Sequence, residues 1–209
     1  METKDVISMS DEQVVEVAHQ LRVAYQLKRT LRYATERNFS VHSESVAEHV
    51  FALLYLTHYF LPLEDPEGKL DVAKVHSLLL FHDFGEIAHG DIPYHLKTRE
   101  HEEREQEAAK DVFASLPHPL GAEGYEYWKD YEFQKSPEAQ FVYALDKVEP
   151  LFELLDPVNE RSMHRLKFGY EVNIERKLKA TQRFPVMRRF AVALSDDMRR
   201  RSVFWVEKT

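Results

Sequence analysis

Apolar residues recur at helical spacing along much of this chain, and this pattern constrains the fold more than any other feature. One apolar stripe consists of Val75, Leu78 and Leu79, and no segment shows a sustained period of two. The 209 residues include only six Gly and nine Pro, too few turn residues for a many-stranded sheet protein. We therefore predict a nearly all-helical (all-α) fold. With 44% hydrophobic residues and no linker, residues 1–209 are expected to form a single domain.

Two groups of turn-forming residues predict loops between these helices. The groups are Pro62, Pro66 and Gly68, and Pro117, Pro119, Gly121 and Gly124. Proline and glycine interrupt regular helices, so both stretches are predicted to be loops, and neither resembles a domain boundary.

The stripe that begins at Val75 ends in the adjacent pair His82 and Asp83. If the helix continues, the next positions on its buried face are 82 and 86, which are occupied by His82 and Glu86. Burying an imidazole and a carboxylate is costly unless each group is paired or binds a metal. This placement therefore predicts a compensating partner, for which a divalent cation is the natural candidate.

Two further positions, His49 and Asp146, have the same character. Ser45 and Glu48 are spaced as a capping box, which places His49 in the first turns of a helix. Asp146 lies within the apolar stripe of another helix, which opens with Pro137 at its first position. A carboxylate thus occupies a position where leucine would be expected.

Bound together, these four residues would supply two imidazoles and two carboxylates from three helices. They are His49, His82, Asp83 and Asp146. Such a set of nitrogen and oxygen donors suits Mn, Fe, Co, Ni or Zn better than calcium. We therefore predict one divalent transition metal, held only in the folded domain.

The order of these residues resembles that of the HD-domain metal-dependent phosphohydrolases. The likeness extends from about residue 31 to about residue 155, and its elements are Leu31-Arg32-Tyr33, Glu44-Ser45-Val46-Ala47-Glu48-His49, His82-Asp83-Phe84-Gly85-Glu86, Gly90-Asp91-Ile92-Pro93 and Asp146. Within that superfamily the chain looks most like the bacterial 5'-deoxynucleotidases and their eukaryotic relatives. The resemblance implies an HD-domain helical bundle with the metal site between core helices, and ligation by the four residues above.

The chain departs from the family pattern in two places. Tyr33 stands where the bacterial enzymes carry Trp after the arginine, which affects how a base or sugar would pack. The segment from about 157 to 209 maps onto no part of the pattern. We expect this segment to be a helical extension, serving as a cap or as an oligomer surface.

Five residues are candidates for catalysis and substrate binding. Glu86 is our first choice for the general base, and Asp91, held by a short turn, would protonate the leaving alkoxide or bind a sugar hydroxyl. The resemblance supports both roles and also indicates Arg32, whose guanidinium offers paired donors to a phosphate. Lys97 is a second candidate positive charge, and Tyr33 a candidate contact to the nucleoside.

Charge, cysteine content and hydropathy bear on partners and location. A net charge of −8 argues against a nucleic-acid polymer as partner, because polymer binding draws on many Lys and Arg contacts. The absence of cysteine excludes disulfides and thiolate ligands. The N-terminus lacks a signal-peptide pattern and no run approaches the length of a membrane span, so we expect a cytoplasmic protein without a membrane partner. Because relatives are often dimers, a homodimer is left open.

Three functions follow from this reading. We favour an enzyme that removes the 5'-phosphate from (deoxy)nucleoside monophosphates, a small-molecule substrate. The first alternative is an HD-type hydrolase acting on nucleoside triphosphates or another phosphoester, and the second is a regulatory module that binds nucleotide without turnover. Glu86 and Asp91 argue against the module, which has no need for extra carboxylates beside its metal. Only Lys147, next to Asp146, offers a further cation for a triphosphate.

Overall fold

The computed structural model describes residues 3–21, 45–87, 97–116, 119–157, 163–164 and 167–206. Within these ranges every regular element is a helix, which confirms the all-α prediction. The α-helices are α1 (Thr3–Ile7), α2 (Asp11–Leu21), α3 (Val46–Glu64), α4 (Val72–Phe81), α5 (Arg99–Ala114), α6 (Leu120–Glu132), α7 (Pro137–Glu153), α8 (Tyr170–Ala180) and α9 (Pro185–Arg200). A 3-10 helix spans Phe84–Ile87.

Side-chain caps determine where α3 and α4 begin. The Ser45 backbone N–H donates to Glu48 Oε2 at 2.7 Å, and the Glu48 N–H donates to Ser45 Oγ at 3.3 Å, so the predicted capping box is present. At the start of α4, Asp71 Oδ1 accepts from the N–H groups of Ala73 and Lys74. These bonds satisfy donors that have no partner within the helix.

The two predicted loops are shorter than their turn residues indicated. Pro62 lies inside α3, where it removes one N–H from the last turn only, and Gly121 and Gly124 lie inside α6. A Cβ on Gly124 would lie 2.8 Å from Cε1 of Phe113. Here glycine permits close packing of a helix instead of a chain reversal, so the loop prediction was wrong at these positions.

The chain is divided into two compact units. Unit 1 consists of Met1–Lys69 and Ala144–Thr209, and unit 2 of Leu70–Tyr143, so the boundary falls within α7. Single-domain organisation over residues 1–209 stays a prediction.

Unit 1 is built around α9, which packs against α1, α2, α3 and α8. The Phe190 ring of α9 lies 5.1 Å from that of Phe60 in α3 and 6.0 Å from that of Phe152 in α7, measured between centroids. Burying each of these side chains stabilises the fold by roughly 2 kcal/mol. The C-terminal segment therefore supplies part of a core, in addition to any role as a cap or oligomer surface.

Unit 2 contains α4, the 3-10 helix, α5 and α6, and its core includes Phe81, Phe113 and Trp128. The start of α7 is joined to this core by a partly buried ion network. Lys74 Nζ of α4 lies 2.9 Å from Asp130 Oδ2 of α6 and 3.3 Å from Glu138 Oε2 of α7. Unit 2 is thus stabilised both by aromatic packing and by ion pairs between its helices.

Among the described residues, α3 has the length and apolar composition that a membrane-spanning helix would need. This differs from the expectation that no run approaches that length. One side of α3 is nevertheless buried in unit 1, through Ala52, Leu53, Leu56, Thr57, Phe60 and Leu63. A core helix with such a buried face passes the same test of length and composition.

Candidate metal centre

His82 and Asp83 lie together in unit 2, directly after the last residue of α4. The His82 backbone N–H donates to Leu78 O, and its side chain is almost fully buried, with its ring 5.0 Å from that of Tyr131. His82 Nδ1 lies 2.9 Å from the backbone oxygen of Leu79. A carbonyl oxygen can only accept a hydrogen bond, so Nδ1 carries a proton, and in the neutral ring the lone pair lies on Nε2.

The Nε2 atom of His82 faces a carboxylate oxygen. Its distance to Asp83 Oδ2 is 3.1 Å. A lone pair and a carboxylate oxygen repel each other at this distance unless a positive charge, either a proton or a metal ion, lies between them. The geometry therefore favours a cation at this position.

His49 and Asp146 form a similar pair in unit 1. His49 Nε2, on α3, lies 3.2 Å from Asp146 Oδ1, on α7. The other ring nitrogen, Nδ1, lies 3.0 Å from Oε2 of Glu149, which is fully buried. The second oxygen of Asp146 accepts from Lys147 Nζ. The structure thus brings together two predicted ligands that are far apart in the sequence.

The two pairs share one arrangement. In each, Nδ1 of the histidine lies within hydrogen-bond distance of an oxygen atom while Nε2 faces a carboxylate oxygen at 3.1 or 3.2 Å. Ligands about 2.1 Å from a divalent transition metal are separated from one another by roughly 3.0–3.4 Å in octahedral or tetrahedral geometry. The donor types and their spacing within each pair therefore fit a divalent metal ion.

Glu86 occupies a different position from the one predicted. Because α4 ends at Phe81 and a 3-10 helix follows, Glu86 does not lie one α-helical turn beyond His82 on the same face, and that prediction was wrong. The Glu86 N–H donates to Asp83 O at 2.9 Å, and Gly85 packs so closely that a Cβ would lie 3.2 Å from the Glu105 side chain. Glu86 still lies near the pair and is half-buried; its role as general base stays a prediction.

Lys97 forms an ion pair with Glu105 of α5. Burial alone would lower the pKa of Lys97, but the hydrogen bond and charge of Glu105, with the charges of Glu132 and Glu86, raise it above its usual value. Lys97 therefore stays protonated and lies among carboxylates. Contact with a phosphate would require it to exchange Glu105 for the substrate, and this role stays a prediction.

Three other predicted site residues lie outside the described residues. They are Arg32, Tyr33 and Asp91. Their roles rest on the sequence.

The HD domain family model matches residues 24–186, which is more than half of the chain. The chain belongs to the HD-domain family. The match extends past residue 155, where the resemblance in sequence motifs ends, and covers α8. Part of the C-terminal segment is thus included in the HD domain.

Curated relatives of this HD domain are named 5'-deoxynucleotidases. The chain is 33% identical over 135 residues to the 5'-deoxynucleotidase HDDC2 of Mus musculus, covering 64% of this chain and 65% of the relative. The Homo sapiens protein of that name is also 33% identical, with 64% of each chain covered. The 5'-deoxynucleotidase PM0747 of Pasteurella multocida is 24% identical over 57% of this chain and 64% of its own. The chain thus spans slightly less than two thirds of these relatives.

A solved structure has a similar fold over most of this HD domain. It is a crystal structure of a predicted metal-dependent phosphohydrolase from Magnetospirillum magnetotacticum MS-1. The TM-score is 0.64 at 25% sequence identity, and the alignment covers 92% of this chain and 100% of the other.

Two charged residues near the candidate metal centre were not singled out in the sequence. Glu149 follows Asp146 by three positions on α7, so a second carboxylate within an apolar stripe was the available signal. Lys177 of α8 gave no such signal, because α8 is rich in charged residues. Burial, followed by repulsion from Lys147 and Arg176, lowers the pKa of Lys177 to about 7, and attraction to Asp146 and Glu149 opposes this shift.

Proposed function

We propose that this HD domain is a metal-dependent phosphomonoesterase that removes the 5'-phosphate from (deoxy)nucleoside monophosphates. The observation that carries the proposal is the repeated arrangement of histidine and carboxylate at His49 with Asp146 and at His82 with Asp83. The relatives named 5'-deoxynucleotidase support the class of substrate. They do so over less than two thirds of their length.

The metal would be held by both pairs, through the Nε2 atoms of the histidines and one oxygen of each aspartate. When bound, a divalent metal supplies positive charge that makes water a better nucleophile at neutral pH and neutralises the phosphoryl oxygens. Mn, Co, Fe, Ni and Zn all suit this set of donors. Each histidine would bind the metal as a neutral donor with its ring proton on Nδ1, which lies within hydrogen-bond distance of an oxygen acceptor.

Proton transfers are assigned to two carboxylates of this chain. Glu86, in the 3-10 helix that follows Asp83, accepts the proton of the attacking water. Asp91 returns a proton to the 5'-oxygen of the leaving nucleoside, or holds a hydroxyl of its sugar. Because the nucleoside would otherwise leave as an alkoxide when its bond to phosphorus breaks, donation of a proton to that oxygen lowers the barrier.

Substrate recognition is assigned to the segment around Arg32. Its guanidinium would bind the phosphate through two parallel hydrogen bonds, and Tyr33 would pack against the nucleoside. Lys97 would contribute a second positive charge after exchanging its partner Glu105.

The test is a substrate screen of the full chain, stripped of metal and reloaded separately with Mn²⁺, Co²⁺ and Zn²⁺. Ribo- and deoxyribonucleoside mono- and triphosphates are supplied, and phosphate, pyrophosphate and tripolyphosphate are measured separately. We expect metal-dependent phosphate release from 5'-monophosphates, and none with EDTA.

Three results would contradict the proposed function. Release of pyrophosphate or tripolyphosphate alone would indicate a triphosphate hydrolase. Hydrolysis confined to another phosphoester would change the substrate class. Nucleotide binding without any product, in metal-loaded protein, would indicate a regulatory module.

A further inference from the structure

We propose that Glu149 is a positioning residue that fixes the His49 imidazole so that its Nε2 atom faces Asp146 and the metal. The inference rests on the metal site of the proposed function, and it concerns a residue outside the four predicted ligands.

The contact between Glu149 and His49 determines which ring nitrogen is available. Glu149 Oε2 lies 3.0 Å from His49 Nδ1, and an ionised carboxylate can only accept a hydrogen bond. With a metal ion between Nε2 and Asp146 Oδ1, which lie 3.2 Å apart, the remaining ring proton is held on Nδ1 by Glu149. A histidine must present such a lone pair to bind a metal.

Both contacts to this ring come from one helix. Asp146 and Glu149 are three positions apart on α7, which places their side chains on the same side of the helix. α7 therefore holds both nitrogens of an imidazole carried by α3. Rotation of the ring about its bond to Cβ would break both contacts.

Glu149 is fully buried, so its carboxylate does not act as a solvent-exposed charge. Its exposed fraction is 0%, and a buried carboxylate costs free energy that a neutral acceptor would avoid. His82 shows that a backbone carbonyl, that of Leu79, is a sufficient acceptor for Nδ1 elsewhere in this chain. A carboxylate in the same role also makes Nε2 a stronger donor to a metal, because its negative charge stabilises positive charge on the ring.

The test measures the affinity of the full-length, metal-free protein for Co²⁺, by calorimetry and by the visible absorption of the bound ion. Glu149→Ala should weaken Co²⁺ binding by about 10–100-fold, the usual effect of losing such a partner. Glu149→Gln should lose less affinity for Co²⁺, because the glutamine amide oxygen still accepts a hydrogen bond from His49 Nδ1–H. The matched control is Glu153→Ala, which removes a half-buried carboxylate one turn further along α7 and should keep wild-type affinity.

A second readout keeps the test valid if Glu149→Ala does not fold. Nitrogen-15 NMR of the Zn²⁺-loaded protein should show His49 as the tautomer with its proton on Nδ1 in the wild type and in Glu149→Gln. Wild-type Co²⁺ affinity in Glu149→Ala, equal losses in the Gln and Ala variants, or a His49 proton on Nε2 in the wild type would each overturn the inference.

These readouts separate the inference from the proposed function because no substrate is present. Wild-type protein that binds Co²⁺ but hydrolyses no nucleoside monophosphate would contradict the proposed function and leave the role of Glu149 intact. Wild-type protein that binds no Co²⁺ would overturn both.

Discussion

The carboxylate of Glu64, at the last position of α3, accepts a hydrogen bond from the backbone N–H of Met187 at the start of α9, at 2.7 Å. Its other oxygen, Oε2, is buried and has no hydrogen-bond partner among the described residues. Burial raises the pKa of Glu64 to about 7, although the N–H groups of Met187 and Val186 partly offset the shift. Glu64 thus joins two helices of unit 1, and its ionisation lowers the free energy of unfolding.

We predict that Glu64→Gln stabilises the protein at pH 8 but not near pH 4. Between pH 4.5 and about 7 the unfolded chain releases the Glu64 proton while the folded chain keeps it, so the free energy of unfolding falls as pH rises. Glutamine has no proton to lose. The expected gain at pH 8 is on the order of 1–3 kcal/mol, measured by urea denaturation. The exposed control Glu107→Gln should not change the pH profile; a Glu64→Gln profile parallel to the wild type would contradict the prediction.

Asp83→Ala should abolish metal binding and turnover together. The variant removes the oxygen that faces His82 Nε2 at 3.1 Å, together with its negative charge. Metal content after reconstitution, measured by elemental analysis, tests this prediction. The exposed Asp111→Ala should retain full occupancy. Full metal occupancy in Asp83→Ala would refute the ligand assignment.

Glu86→Gln should keep its metal and substrate affinity but lower kcat by about two to four orders of magnitude. Glutamine preserves the shape of the side chain in the 3-10 helix and cannot accept the proton of water at neutral pH. Steady-state kinetics on a nucleoside monophosphate, at saturating metal, separate the two effects. A change confined to KM would mean that Glu86 binds substrate and does not act as the base.

Arg32→Lys should impair activity almost as much as Arg32→Ala. A lysine ammonium cannot reproduce two parallel hydrogen bonds to a phosphate, so kcat/KM should fall by at least about tenfold. Metal content should stay at the wild-type level. Arg29→Lys serves as the control, because Arg29 precedes Arg32 by three positions and lies outside the family element Leu31-Arg32-Tyr33. Wild-type kinetics in Arg32→Lys would show that the phosphate is held elsewhere.

Gly124→Ala should destabilise unit 2 by about 1–2 kcal/mol. Its new Cβ would lie 2.8 Å from Phe113 Cε1 and 3.0 Å from Phe81 Cε1, so two packed rings must shift. The higher helix propensity of alanine offsets only part of that loss in stability. Thermal denaturation tests this, with the exposed neighbour Glu123→Ala as a near-neutral control. An increase in Tm for Gly124→Ala would contradict the packing argument.

The helices that carry the candidate ligands were predictable because their signals are local. A capping box at Ser45 and an N-cap at Asp71 satisfy backbone donors within three residues, and the apolar stripes repeat every three or four positions. His49, His82, Asp83 and Asp146 could be identified for the same reason. His82 and Asp146 are polar residues where the local pattern calls for an apolar one; His49 was located from the capping box at Ser45 and Asp83 from its place beside His82.

Features that depend on close packing were not predictable from the sequence. The α-helix before His82 ends early and continues as a 3-10 helix beside Glu105, which moves Glu86 off the expected face. Likewise, Gly124 resembles a turn residue until the Phe113 ring is known to lie against it. Local patterns describe one helix at a time and carry no information on the distance to the next.

The sequence by itself determined that the chain folds into helices, which polar residues interrupt their buried stripes, and the family to which the chain belongs. Only the tertiary structure decided which acceptor each histidine nitrogen meets, that Glu149 holds His49 from 100 positions away, and that Lys97 pairs with Glu105. The physical reason is that helix formation depends on neighbours in sequence. Hydrogen bonding and burial of a side chain depend instead on neighbours in space, which are set only when the helices pack.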